Sequence, residues 1–209
     1  MLGVTRQSLR AALLDLTAEG LVERIPNRGA RVRVVTMDEA VAITECRMAL
    51  EALCAVKAAQ RITDDDAARL RELGGELRRA VAERNPLKYS ELNQELHRRV
   101  GVISGQAVAV SLLARLHAQI VRHQFQLALR PGRPEQSLAE HLAIIDAIAG
   151  RRADDAGEAV RRHLDSVIDA LRAAGDTTGE AAGAAARNTT GAAAGDTTGV
   201  AAGEAGQPV

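Results

Sequence analysis

The first 34 residues contain a helix signal followed by a hairpin signal, and this pairing restricts the fold more than any other feature of the chain. Gly3 permits a tight turn and Thr5 offers a hydroxyl to the free N–H groups of a new helix, after which leucines recur at helical spacing up to Gly20. Valines and arginines then alternate on both sides of a Pro-Asn-Arg-Gly sequence at 26–29, which is typical of a two-stranded hairpin. These signals predict the second half of a winged helix-turn-helix.

The exposed front of the predicted helix carries Arg6, Gln7 and Arg10. These side chains suit the major groove, because Arg pairs with guanine edges, Gln pairs with adenine, and both bind phosphate. Residues 1–34 hold six arginines against three acidic residues, whereas the whole chain balances 27 basic against 27 acidic residues. The local excess lies where phosphate would bind. Charge alone is equally compatible with an ordinary solvated helix and hairpin.

The middle of the chain predicts helices joined by short turns. Thr36 and Glu39 have capping-box spacing, Thr63 precedes three aspartates, and Asn85 precedes a proline. Helices are expected over residues 36–61, from 63 onward, and over 85–102, 106–129, 135–149 and 153–174, with residues 131–134 breaking the pattern. The predicted fold is therefore mostly α, with a partial winged helix followed by an antiparallel all-α bundle.

Composition changes again at Gly175. The sequence GDTTG occurs at 175 and at 195 among alanine and glycine repeats, and such a segment buries too little apolar area to offset its chain entropy. We expect three parts: a DNA-binding part at 1–35, a helical bundle at 36–174 and a disordered tail at 175–209. The chain has no apolar run long enough to cross a bilayer and no hydrophobic signal segment, so the cytoplasm is the predicted location and no membrane partner is expected.

Three histidines interrupt the apolar faces of the predicted bundle helices. Asn93 and His97 share one helix face at i, i+4 spacing, while His141 and His163 each interrupt a stripe of aliphatic residues. A buried imidazole needs a partner. Three imidazoles and an amide oxygen from three helices can hold a divalent transition ion with positions open for a ligand. Spacing alone favours the simpler interpretation, in which each histidine bonds separately to a carbonyl or carboxylate.

Arg47 also lies on an apolar helix face. A buried guanidinium requires an anion. Glu51, one turn along the helix, is one possible partner, and a bound anionic ligand is the other.

Residues 2–32 resemble the winged helix of the GntR family of bacterial transcription regulators, whose recognition helix and wing look like LGVSR..VREAL..L..EGLV...PNRGA.V. The resemblance implies DNA contacts by Thr5, Arg6 and Arg10 and by the wing residues Asn27, Arg28 and Gly29. Gln7 and Ala11 depart from the Thr and Glu that are common in the family. A complete winged helix of this kind would include two further helices before Met1, so weak sequence-specific DNA binding is expected of this chain alone.

Residues 36–172 resemble the FCD ligand-binding domain of the FadR-like GntR branch. Its pattern, E.R..LE then D..FH, EH..I..AI and HL, is matched at 45–51, 93–97, 140–148 and 163–164. The resemblance implies metal ligation by Asn93, His97, His141 and His163, with a divalent ion of the zinc, nickel or manganese type. Asn93 stands where Asp is usual and Leu96 where Phe is usual. Loss of the carboxylate charge should lower metal affinity.

The predicted function is that of a homodimeric transcriptional regulator, not an enzyme, in which a small organic acid at the metal and Arg47 changes operator affinity. A metal-dependent hydrolase is one alternative, because three histidines with an open coordination site also describe a hydrolytic centre. It lacks an obvious general base, since Glu95 and Glu140 are expected to point away from the ligands. An effector or interaction module without DNA binding is the other alternative.

Overall fold

A computed structural model of the chain describes residues 5–26 and 28–191, with side chains as far as residue 175. The N-terminal module consists of helix α1 (Arg6–Ala18) and strands β1 (Val22–Ile25) and β2 (Gly29–Val32). Thr5 caps α1 by accepting the N–H of Ser8 at 3.1 Å. The two strands pair antiparallel with Val22 opposite Val32. The predicted recognition helix and wing are therefore both present.

Six further helices form the bundle: α2 (Met37–Arg61), α3 (Asp64–Ala82), α4 (Pro86–Ser104), α5 (Ala107–Ala128), α6 (Arg133–Ala149) and α7 (Ala153–Gly191). The predicted caps are confirmed, since Thr36, Thr63 and Asn85 each accept a backbone N–H three residues along. These caps fix where α2, α3 and α4 begin. The described residues thus have the expected mostly α fold with a two-stranded wing.

The core of the bundle is almost entirely aliphatic. Its largest fully buried side chains include Leu70, Leu77, Leu96, Ile144 and Leu164. A smaller cluster, made by Ala40, Ile43, Ile120, Leu127 and Leu171, lies near the start of α2. Burial of leucine and isoleucine side chains contributes about 1.5–3 kcal/mol each, so these clusters hold the helices in place.

Helix α6 begins two residues before the predicted start at Glu135. Gly132 has φ +79° and makes the turn, while Pro134 occupies the first helical turn, where its missing N–H has no helical partner to lose. The proline that was expected to break the pattern instead lies inside the helix. Arg133 consequently becomes a buried residue of the bundle.

Helix α7 continues past the predicted end at residue 174 to Gly191. The predicted tail therefore overlaps helical backbone over 175–191, in agreement with the high helix propensity of alanine. Residues 192–209 lie outside the described residues. By its contacts the chain divides into one unit of residues 1–172 and a second of residues 173–209. None of the helices described is both long and apolar enough to span a bilayer.

Helix α5 contacts the N-terminal module and the segment that joins this module to α2. The Gln119 side-chain amide donates to the carbonyl of Glu19 at 3.0 Å, and Nε2 of His123 lies 2.9 Å from the carbonyl oxygen of Val35. Gly20, beside the first contact, has φ +74°, and a Cβ there would lie 2.8 Å from the Gln119 amide nitrogen. Only glycine fits this turn without strain.

Candidate metal centre

Helices α4, α6 and α7 bring His97, His141 and His163 together inside the bundle. One ligand atom from each of the three lies within 4.8 Å of the others. The Nε2 atoms of His141 and His163 are 3.2 Å apart. The centre of the His97 ring lies 5.5 Å from the centre of the His141 ring and 5.6 Å from that of His163. Three of the four predicted ligands are therefore adjacent, although His141 follows His97 by 44 residues in the chain and His163 follows His141 by 22.

Each of these rings has its Nδ1 atom close to a residue outside the cluster. The Nδ1 atom of His163 donates to Oε2 of Glu140 at 2.7 Å. That of His141 lies 3.1 Å from the Tyr89 hydroxyl, and that of His97 lies 2.8 Å from Oε2 of Glu51. Metal-binding histidines commonly have this outer partner, which fixes the ring and its tautomer. Nε2 is the nitrogen that each ring leaves for the cluster.

The outer partners determine which nitrogens can bind a cation. An ionised Glu140 only accepts hydrogen bonds, so Nδ1 of His163 carries the proton and Nε2 keeps its lone pair. The Tyr89 hydroxyl can either donate to or accept from His141, and it therefore permits a bare Nε2 there as well. Burial lowers the pKa of His141 and of His163 well below the usual value, and neighbouring histidine charge lowers both further. The buried rings are held neutral, as metal binding requires.

Glu51 lies at the centre of a second set of contacts. Arg47 donates to its Oε1 through Nε at 2.9 Å and lies 2.8 Å away through Nη2, and Nε2 of His117 lies 3.2 Å from the same oxygen. Burial alone would raise the pKa of Glu51, but Arg47 and His97 hold it well below the usual value. Glu51 is thus a buried carboxylate that pairs with Arg47 and lies against His97.

Asn93 supplies the remaining predicted ligand position. It lines a cavity of about 60 Å³ together with His97, His141 and His163. Its Oδ1 atom is buried and has no hydrogen-bond partner, which costs free energy unless something binds it. Three imidazole nitrogens and one amide oxygen form a donor set of the kind that transition ions prefer. The residues present therefore fit a divalent metal.

The expectation that Glu140 points away from the ligands is wrong. Glu140 precedes His141 in sequence, but α7 passes close enough to place His163 against its carboxylate. Burial raises the pKa of Glu140, and Ser166 and Arg133 partly oppose this. Glu95 does point away, since it binds exposed Arg98 and half-buried Arg99 on its own helix. Glu140 differs from Glu95 because it contacts a neighbouring helix, and sequence spacing does not reveal such a contact.

Sequence reasoning missed Arg133. It is 7% exposed, lines the same cavity as the histidines, and donates from Nη1 to Ser166 at 2.6 Å. A signal was present, because Arg133, Ser137 and His141 follow one another at i, i+4 spacing. This spacing can be recognised only if the helix is taken to begin at residue 133.

The predicted DNA-contacting residues lie on the surface of the N-terminal module. Arg6, Gln7 and Arg10 are exposed along α1, and Arg28 and Gly29 are exposed at the wing. Thr5 caps the helix and is also exposed. Asn27, together with Gly3, lies outside the described residues.

Two family models match the chain. The FCD domain matches residues 42–166, and the model described as bacterial regulatory proteins of the gntR family matches residues 1–32. The first match alone covers more than half of the 209 residues and includes every residue of the histidine cluster.

Similar proteins of known sequence are regulators. The HTH-type transcriptional repressor RspR of Escherichia coli K12 is 27% identical over 169 residues, covering 81% of this chain and 74% of that protein. The Nta operon transcriptional regulator of Aminobacter aminovorans is 29% identical over 178 residues, covering 83% and 82%.

Solved structures share the fold. Escherichia coli McbR/YncC matches with a TM-score of 0.71 at 18% identity, covering 81% of this chain and 86% of that one. Streptococcus agalactiae GntR matches with a TM-score of 0.55 at 26% identity, covering 80% and 83%.

Proposed function

Since the chain belongs to the FCD-containing branch of the GntR family of transcriptional regulators, we propose that its helical bundle binds a small carboxylate effector through a divalent transition metal and so changes the affinity of the winged helix for operator DNA. The observation that carries this proposal is that the three histidine rings are oriented in the same way. In His97, His141 and His163, Nδ1 faces an outer partner and Nε2 is left for the cluster. Three separate core histidines would not need to converge in this way.

Arg47 supports a carboxylate as the ligand. It is 2% exposed and lines the cavity beside the histidines. Two of its nitrogens serve Glu51, the partner that sequence spacing suggested, but Nη1 is buried with no partner. A metal-bound carboxylate would satisfy this N–H group as well as the ion.

Helix α5 offers a route from the site to the DNA-binding module. On this helix, His117 contacts Glu51 at the site. Further along it, Gln119 and His123 contact the carbonyls of Glu19 and Val35. A shift of α5 when the site is filled would therefore act on the winged helix directly. In a two-fold dimer this would change the spacing of two recognition helices, and by linkage operator DNA would change effector affinity equally.

The geometry gives less support to a hydrolase. A hydrolytic centre needs a carboxylate or other base free to act on metal-bound water. The two carboxylates beside the cluster are already engaged: buried Glu51 pairs with Arg47 and lies against His97, and half-buried Glu140 accepts from His163. Both contribute more readily to holding the ligands than to removing protons from a substrate.

The test is a metal and DNA-binding measurement on the purified chain. Elemental analysis should find about one transition ion per chain, and His141→Ala should lose it. Because this chain alone is expected to bind DNA weakly, footprinting is done at high protein concentration on the DNA upstream of its own gene, with and without zinc and a panel of short carboxylic acids. It should show protection that the acids alter only in the metal-loaded protein. A normally folded chain that holds no metal, or protection that no acid alters, would contradict the proposal.

A further inference from the structure

Arg133 is a buried cation, and one of its guanidinium nitrogens has no hydrogen-bond partner within the protein. Nη1 donates to Ser166 and so ties α6 to α7. Nη2 is buried without a hydrogen-bond partner, and its nearest carboxylate oxygen, on Glu140, is 3.6 Å away, beyond hydrogen-bonding range. A structural role explains the first contact and leaves the second nitrogen unexplained.

Arg47 presents the same feature from another helix. Its Nη1 is also buried and unpartnered, and both arginines line the cavity of about 60 Å³ that contains the histidines. A desolvated guanidinium nitrogen is costly unless an anion binds it. Two such nitrogens on α2 and α6 provide separate positions for two acid groups.

The charges of the buried groups agree with this count. Glu51 and Glu140 offset Arg47 and Arg133, and Asn93 is neutral, so a bound divalent ion would leave two positive charges. A carboxylate at position 93 would leave only one. Charge neutrality in a low-dielectric site therefore favours a dianion for the chain as it stands.

Resting on the proposed metal-dependent effector site, we propose that the effector is a short dicarboxylate, with one carboxylate at the metal beside Arg47 and the other on Arg133. The small cavity limits the carbon chain between the two groups. An adjoining cavity of about 360 Å³ has a mostly apolar wall that includes Val110, Leu113 and Val121, and no buried guanidinium is among its lining residues. The second acid group is thus placed at Arg133.

The test compares acids of equal length on the zinc-loaded full chain by calorimetry: malonate against propionate, and succinate against butyrate. A charge-assisted hydrogen bond from Nη2 of Arg133 predicts that a dicarboxylate binds at least about tenfold more tightly than its monocarboxylate counterpart. Elemental analysis after each titration checks that the free diacid has not removed the zinc. Equal affinity within both pairs would overturn the inference while leaving the metal-carboxylate site intact, and binding of neither series would overturn both.

Variants assign the second acid group. Arg133→Gln should remove most of the dicarboxylate advantage by weakening dicarboxylates more than monocarboxylates, and Arg133→Lys, which keeps the charge but not the guanidinium shape, should remove part of it. Asn93→Asp should tighten zinc binding and reduce the preference for dicarboxylates. Arg78→Gln, on the exposed side of α3, is the matched control, and circular dichroism checks folding. Equal weakening of both acid series in the folded Arg133 variants would overturn the assignment.

Discussion

The Nε2 atoms of His141 and His163 lie 3.2 Å apart in the core of the bundle, a distance at which two bare lone pairs repel each other. A shared proton can relieve this repulsion when the site holds no metal, with the Tyr89 hydroxyl donating to Nδ1 of His141. A divalent cation between the rings relieves it for all three histidines at once. The same geometry thus suits either a shared proton or the divalent cation of the proposed site.

Removing the outer carboxylate should weaken the metal site without removing a ligand. In Glu140→Gln, the His163 ring keeps an acceptor but loses the charge that makes it a better donor. Zinc affinity should fall about 10- to 100-fold. Competition with a chelating dye measures this, and the exposed Glu135→Gln on the same helix should bind zinc as the unaltered chain does. Equal affinity in both variants would show that Glu140 has no part in holding the ligand.

The metal-free chain should lose stability as the pH falls below about 6.5, the usual histidine value. Because the folded-state pKa values of His141 and His163 are lowered, the unfolded chain binds protons in this window that the folded chain does not. Each ring then contributes a slope of about 1.4 kcal/mol per pH unit to the unfolding free energy. Burial also lowers the pKa of His117, which therefore acts in the same direction. Glu140, whose raised pKa acts in the opposite direction, is one group against three, and the lowered pKa of Glu51 acts only below its usual value of 4.5.

Urea unfolding in EDTA at pH 5, 6 and 7 measures that slope. The variant His141→Leu should reduce the slope by about 1.4 kcal/mol per pH unit, because one of the titrating rings is gone. A slope that His141→Leu leaves unchanged would place the pH dependence elsewhere.

Loss of Arg47 should destabilise the fold even without any effector. In Arg47→Leu, the Glu51 carboxylate remains buried beside two histidines without its guanidinium. Leaving one member of a buried ion pair alone costs about 3–5 kcal/mol. Urea midpoints measure this, and Arg161→Leu, which breaks an exposed pair with Glu158, should change stability by less than about 1 kcal/mol. A similar loss of stability in both variants would contradict the larger contribution assigned to the buried ion pair.

Arg10 on the exposed face of α1 should contribute to DNA binding. If it contacts phosphate, Arg10→Ala should weaken operator binding at all salt concentrations and reduce the slope of log affinity against log salt by about 1. Fluorescence anisotropy over a salt series measures both. Arg78→Ala on the bundle serves as the charge-matched control, and an equal change of slope in that variant would show only a general charge effect.

The contact between Gln119 and Glu19 should carry part of the effector response. Gln119→Ala removes the hydrogen bond from α5 to the end of the recognition helix, a bond worth about 1 kcal/mol. DNA affinity without effector should change little, while the change in affinity produced by malonate should fall several-fold. Gln126→Ala, on the exposed side of α5, is the control. An undiminished response in Gln119→Ala would exclude this route.

The sequence predicted what depends on local chemistry. Thr36, Thr63 and Asn85 cap their helices because a side-chain oxygen three residues before a backbone N–H is a local arrangement. Helical spacing also placed Asn93 beside His97 and turned His141 and His163 inward. It could not place Glu140 against His163, because that contact depends on how closely α6 and α7 pack. Arg133 escaped notice because a proline that normally ends a helix here begins one.

The three cluster histidines come from helices that are distant in the sequence. An ion bound by all three would close two long loops of the chain, so metal uptake and folding would share one equilibrium. The supply of free metal would then set how much of the chain is folded, and with it how much escapes proteolysis. The amount of this regulator in a cell would follow metal availability even where its gene is transcribed at a constant rate.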